Sequence, residues 1–254
     1  MNNAELRMTN AGGARPPRRS RCAPHVSRCR PRAFTLIELL VVMTVIAALA
    51  ALTFPAVRAA KLSTMRARAK SELMQLETAI ERYKDKLGYY PPDNQITGNP
   101  DRYALNQLYY ELLGTTNIGT VAAPVYVTLD GSARVDGSSL NAVFGPNVTG
   151  FMNCARGGSD EEAPGGAAFL RGLKPSQFLA ISTPTAATVL GSSIEGPLMY
   201  LNAQNIRINP WRYNSSGPRN NPKSFDLWID VMAGGKTNRI CNWSEKPLVV
   251  SAPY

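Results

Sequence analysis

Residues 34–57 read FTLIELLVVMTVIAALAALTFPAV, 24 residues with one charge, Glu38. A bilayer takes roughly 20 apolar residues to cross, and a signal-peptide core is usually only about 7 to 15 long, so the run is expected to be a membrane-spanning helix. Everything else must be arranged around it. Arg28, Arg30 and Arg32 stand just before the run, so the positive-inside rule keeps the N-terminal arm in the cytoplasm and sends the C-terminal body across the membrane. Glu38 is costly in such a helix and requires a neutralising partner. Pro55 removes a backbone hydrogen bond near the far end and predicts a kink there.

Charge follows the same division. The chain has 254 residues, with 28 Lys+Arg against 18 Asp+Glu, a formal excess of +10. Residues 1–33 hold eight arginines and a single acid, Glu5, leaving 20 bases and 17 acids, or +3, for the other 221 residues. The positive charge is a property of the arm, and nucleic acid is not an expected partner of the body. If it were one, Tyr109, Tyr110, Trp211, Arg212, Tyr213 and Arg219 would supply the aromatics among bases.

The lone histidine, His25, and Cys22 and Cys29 also lie in the arm, leaving Cys154 and Cys241 in the body. A body without histidine excludes Ser-His-Asp and Cys-His catalytic apparatus and a His-containing zinc site, and two cysteines exclude a four-cysteine zinc site within one chain. No enzymatic activity is expected. Cys154 and Cys241 fall on the non-cytoplasmic side, where disulfides persist, and form either a disulfide or two separate buried thiols.

Past Pro55, apolar residues recur at Leu62, Met65, Ala69, Leu73, Leu76, Ile80, Tyr83 and Leu87, in steps of three and four. This predicts a helix with one apolar stripe, stopped by Gly88 and by Pro91 and Pro92. Glu77 with Glu81 and Arg82 with Lys86 are like-charge pairs one turn apart, so packing of the stripe has to stabilise it. In the body, residues 101–114 have helical spacing; residues 124–129, 197–201 and 225–231 read as strands; residues 145–168 and 209–223, dense in Gly, Pro, Asn and Ser, read as loops. This order predicts an α+β chain, a long N-terminal helix packed on a head with a small antiparallel sheet. The expected divisions are a basic leader at 1–33, a transmembrane and assembly helix at 34–57, its amphipathic continuation at 58–87, and a globular head at 88–254.

The stretch PRAFTLIELLVVMTVIAALAALTFP resembles the N-terminus of type IV prepilins and type II secretion pseudopilins. Phe34, Glu38 and Pro55 stand at that family's spacings and Thr35, Leu36 and Ile37 complete its FTLIE signature, with Ala33 where the family generally has glycine. The resemblance implies a pilin-like fold, cleavage between Ala33 and Phe34 by a prepilin peptidase, methylation of the new N-terminus, and assembly through the N-terminal helix. Glu38 would pair there with the free amino terminus of a neighbouring subunit, and Pro55 would interrupt the helix. The implied partners are the prepilin peptidase, other pilin or pseudopilin subunits and the bacterial inner membrane. The implied location is single-pass, N-terminus cytoplasmic and head periplasmic, before entry into a pilus or pseudopilus. Residues 83–94, YKDKLGYYPPDN, and 225–243, FDLWIDVMAGGKTNRICNW, are also similar to segments of the major type II pseudopilins, in which a C-terminal loop holds calcium. Asp226 and Asp230 are the candidate calcium ligands here, although no acid lies between 231 and 244 where those proteins place a pair.

The expected function is that of a structural filament subunit serving secretion, adhesion or DNA uptake. The alternative is a monomeric membrane-anchored ligand-binding or enzymatic domain that uses the same targeting segment. Intact mass and N-terminal sequencing of protein from peptidase-positive cells are expected to show a chain without residues 1–33 that begins at N-methylated Phe34. A mature chain beginning at Met1 or Met8 contradicts this.

Overall fold

The structure, a computed structural model, describes residues 34–94, 96, 98, 102–155, 166–181, 186–202 and 204–251, without the side chains of 52, 54–56, 58 and 59. The expected leader, Ala33 included, and the acidic residues 160–162 lie outside the described residues. Two compact units are distinguished, one ending at Ala50 and one comprising Ala51–Tyr254. Helix α1, Leu36–Leu87, supplies residues to both, and its helical backbone takes in Pro55.

In the second unit the apolar stripe of α1 is covered as its spacing requires. Ala69, Leu73, Leu76, Ile80 and Tyr83 are buried, and Leu62, Met65 and Leu87 are half-buried at its margins. Each fully buried Leu or Ile contributes roughly 1.5–3 kcal/mol relative to an exposed one, which is how a helix with poor charge pairing is held. α1 stops at Gly88, whose φ of 88° a side chain would resist and whose N–H donates to the Lys84 carbonyl at 2.7 Å.

Among the described residues the head contains three four-stranded sheets, which corrects the expectation of one small antiparallel sheet. The first runs in the order β3 (Arg134–Asp136), β2 (Val125–Thr128), β1 (Thr115–Asn117), β4 (Cys154–Ala155), with β1 and β4 parallel. The second runs β5 (Phe178–Ile181), β6 (Ala187–Ser192), β8 (Arg207–Pro210), β7 (Tyr200–Leu201). The third runs β12 (Ser244–Val250), β11 (Lys236–Cys241), β10 (Asp226–Ala233), β9 (Arg212–Asn214). Within residues 209–223, read as loop, Asn209, Pro210 and Arg212–Asn214 are strand, and residues 215–223 are turns and loop. Buried Asn209 and Asn214 occupy those strands, and polar residues in strands of three or four leave no alternation to read. The β10–β11 hairpin turns on Gly234 and Gly235, with φ of 62° and 74°, the pair of left-handed positions that a two-residue turn demands.

Helices α2 (Leu108–Leu113) and α3 (Gly137–Phe144) join the α1 stripe in one core with Tyr126, Phe151, Trp211, Tyr213 and Phe225. α2 is shorter than the helix expected over 101–114. Asn106 intervenes: its Oδ1 accepts the Leu108 N–H at 3.2 Å, while its Nδ2 donates to the carbonyls of Tyr103 and Trp211 at 2.8 and 2.9 Å. A side chain that serves its own backbone in this way competes with the helix before it.

Glu111 is fully buried in this core. Its carboxylate accepts the Tyr83 hydroxyl at 2.8 Å and the N–H groups of Met152 and Asn153 at 2.8 and 2.9 Å. Burial raises its pKa above the ordinary carboxylate range, and the three donors only partly oppose that. A carboxyl whose pKa is raised on folding contributes stability that is complete below its unfolded pKa and is lost as pH rises through its folded one. Glu111→Gln places an amide N–H against the Met152 N–H and is expected to cost about 1–3 kcal/mol in urea unfolding. That penalty should be largest in acid, where the parent carboxyl is protonated, and shrink as pH rises through its raised folded pKa, because only the parent loses stability there. A penalty that grows with pH contradicts the assignment.

Candidate functional site

Thr35 precedes the first residue of α1 and Glu38 is the third within it, so the two stand at the N-cap and N3 positions. Their bonds are reciprocal. The Glu38 N–H donates to Thr35 Oγ1 at 3.3 Å, and Glu38 Oε2 accepts the Thr35 N–H at 2.9 Å and the Thr35 hydroxyl at 2.8 Å. This is a capping box, which satisfies two of the amide donors that every helix start leaves open. The signal, Thr-x-x-Glu ahead of an apolar run, is legible in the sequence, and reading Glu38 only as a misplaced charge misses it. All three bonds use Oε2 or the backbone of Glu38, and Oε1 takes part in none of them.

Around this cap the surface is apolar on every side. Phe34 is 82% exposed and Leu36 81%, and Ile37, Leu39, Leu40, Val41, Val42, Met43, Val45, Ile46 and Leu49 all face outward. Such a surface requires lipid or other protein around it. Among the described residues no helix is long and apolar enough to cross a membrane; the side chains described without a break end at Ala51, short of the 24 residues of the run. Pro55 lies within α1, its side chain outside the described residues, and the same holds for the whole of Ala33.

The other candidates lie in the head and are not brought together. Cys154 is half-buried on β4 and packs against the main core, while Cys241 is buried at the end of β11 beside Tyr103 and Trp228. Both are free thiols, so the structure carries no bridge between them and favours the alternative of two separate thiols. Burial raises the Cys241 thiol above its ordinary pKa, which keeps it protonated and unreactive. Tyr109, Tyr110, Trp211 and Tyr213 are all buried in the core and offer no face on which a base could stack.

Asp226 and Asp230 are both committed to protein donors. Asp226 Oδ2 accepts the N–H groups of Arg219 and Asn220 and the Asn220 amide at 2.9–3.0 Å, and Oδ1 accepts the Asn221 N–H at 2.9 Å. Asp230 faces Arg239 across the β10–β11 ladder and takes a two-pronged bond, 2.7 Å from Nε and 2.9 Å from the second guanidinium nitrogen. Calcium needs six to eight oxygens, and here the carboxylate oxygens are already turned to nitrogen donors. The residues do not fit that ion. Among the described residues no group of three or more His, Cys, Asp or Glu side chains is placed to hold a metal.

With this geometry established, comparison with known proteins is informative at one end of the chain. Residues 28–54 match the family model described as the prokaryotic N-terminal methylation motif. Over 66 residues the chain is 36% identical to type II secretion system core protein G of Escherichia coli (strain K12), a stretch that is 26% of this chain and 46% of that protein. The match thus spans less than half the length of that relative. No solved structure matches the chain.

In the C-terminal hairpin a guanidinium stands where a cation would be sought, and its removal is informative. Arg239→Ala strips the buried Asp230 of its counter-charge and is expected to cost about 3–5 kcal/mol in urea unfolding, with no recovery on adding calcium. A midpoint restored by calcium would show that the loop takes the metal after all.

Proposed function

We propose that the chain is a non-enzymatic, structural subunit of a pilus-like or pseudopilus filament. In this reading residues 34–57 anchor it in the bacterial inner membrane, a prepilin peptidase cuts between Ala33 and Phe34 and methylates the new terminus, and subunits then assemble through the start of α1. The observation that carries the reading is a capped helix start that is apolar all round and exposed among the described residues. It coincides with the segment that matches the N-terminal methylation motif. The partial likeness to a type II secretion core protein supports the pseudopilus form of the proposal.

Glu38 has two roles in this account, as cap and as charge, and they can be separated. Glutamine serves at the third position of a capping box as glutamate does, whereas alanine does not. Glu38→Gln therefore keeps the cap and loses only the charge, and Glu38→Ala loses both. Both variants are expected to insert into membranes at least as well as the parent, since each removes an intramembrane charge. Both should lower the filament recovered by shearing severalfold. If Glu38→Gln assembles like the parent while Glu38→Ala does not, the carboxylate acts only as a cap and the charge-pairing role is wrong.

A further inference from the structure

An open groove of about 1390 Å³ lies in the head between the outer side of α1 and residues 169–177. Its charge is one-sided. Arg68, Lys70 and Arg82 line it from α1, and Arg171 and Lys174 line it from the facing segment. The only acid in the lining is Glu72, which is buried and accepts a bond from Arg68 Nε at 3.0 Å. Five cations against one acid make the groove +4, whereas residues 34–254 together sum to +3. All the excess positive charge of the body, and more, is collected on this one face.

The chemistry of the lining narrows the occupant. Between the cations stand Ser71, Gln75, Thr78, Ser176 and Gln177, hydroxyls and amides that suit an extended polar chain. The only aromatic ring is that of Phe169, half-buried against Tyr83 with centroids 5.3 Å apart, so nucleobases would find no stacking platform. An acidic polypeptide segment fits better, held by charges that stay partly solvated. This chain contains one such segment. Asp160, Glu161 and Glu162 are its only adjacent acids, and they stand in sequence between Gly157-Gly158 and Gly165-Gly166.

We propose that the groove receives the acidic run of Asp160, Glu161 and Glu162 from a second copy of the chain. Groove and run are different surfaces, so the contact is head-to-tail, and a head-to-tail contact that does not close on itself builds an open helical polymer. The inference rests on the filament reading above and names a contact between neighbouring heads that is separate from the assembly of α1.

The test uses two differently tagged full-length copies in the same cells, both with Cys154→Ala and Cys241→Ala. One carries Glu161→Cys and the other Lys174→Cys, and membranes and sheared material are oxidised. A disulfide joining the two tags is expected. It should be lost when the second copy also carries Arg171→Glu, an exposed position, and should return when the first also carries Glu162→Lys. Filaments that lack the mixed-tag bond overturn the proposal and leave the filament reading standing. A bond without filaments keeps the contact and removes that reading, and neither bond nor filament overturns both. With both cysteines placed on one copy, a bond confined to single chains shows that the run folds back on its own groove and also overturns the proposal.

Discussion

The buried bond from the Tyr83 hydroxyl to the Glu111 carboxylate, 2.8 Å long, fixes the last turns of α1 to the elements that follow it. The same carboxylate holds the amides of Met152 and Asn153. The Asn153 side chain in turn donates to the carbonyls of Glu111 and Ala167, both at 2.7 Å. Three segments far apart in the chain are thereby placed around one buried carboxyl group, which is tolerable there only while its partners stay in position. Burial raises the Tyr83 hydroxyl well above its ordinary pKa, so it serves this site as a donor.

The same device recurs wherever the head is irregular. Asp93 Oδ2 accepts the N–H groups of Ser215 and Ser216 and the Ser216 hydroxyl, and Asp226 gathers the amides of residues 219–221. Asp230 closes the C-terminal hairpin onto Arg239. These carboxylates do what a disulfide or a bound cation does in many small domains: they tie turns without hydrophobic content to strands that have it. The first turn of α1 presents the opposite situation. Its backbone donors are served by its own capping box, and its apolar side chains are exposed among the described residues.

The stripe from Leu62 to Leu87 was legible because helical spacing is preserved over seven turns, and the strand read at 225–231 was legible because Phe225, Leu227, Ile229 and Val231 alternate with other residues and are all buried. The second sheet and the strands flanking β10 in the third were harder to see. Strands such as Arg207–Pro210 and Arg212–Asn214 are short and partly polar, and the buried Asn209 amide donates to the Asp230 carbonyl, a partner that sequence spacing does not reveal. Glu111 gave no signal at all, since it sits in a helical pattern where a glutamate is ordinarily a solvated residue. The Asp226 and Asp230 pair was found, but its chemistry depends on Arg239 lying directly opposite, a matter of register across Gly234 and Gly235. At the N-terminus the motif was readable, and so was the second role of Glu38, in the Thr-x-x-Glu spacing that a reading of it as charge alone passes over.

The account stands or falls on whether the uncovered start of α1 is buried by further copies of the chain. Cryo-electron microscopy of material sheared from peptidase-positive cells addresses that directly. The account predicts a helical polymer of this chain, beginning at Phe34, with the side chains from Phe34 to Leu49 packed in its core and the heads outside. Recovery of the mature chain only as single copies in the membrane, at every expression level at which a pilin-type assembly apparatus is present, would contradict it.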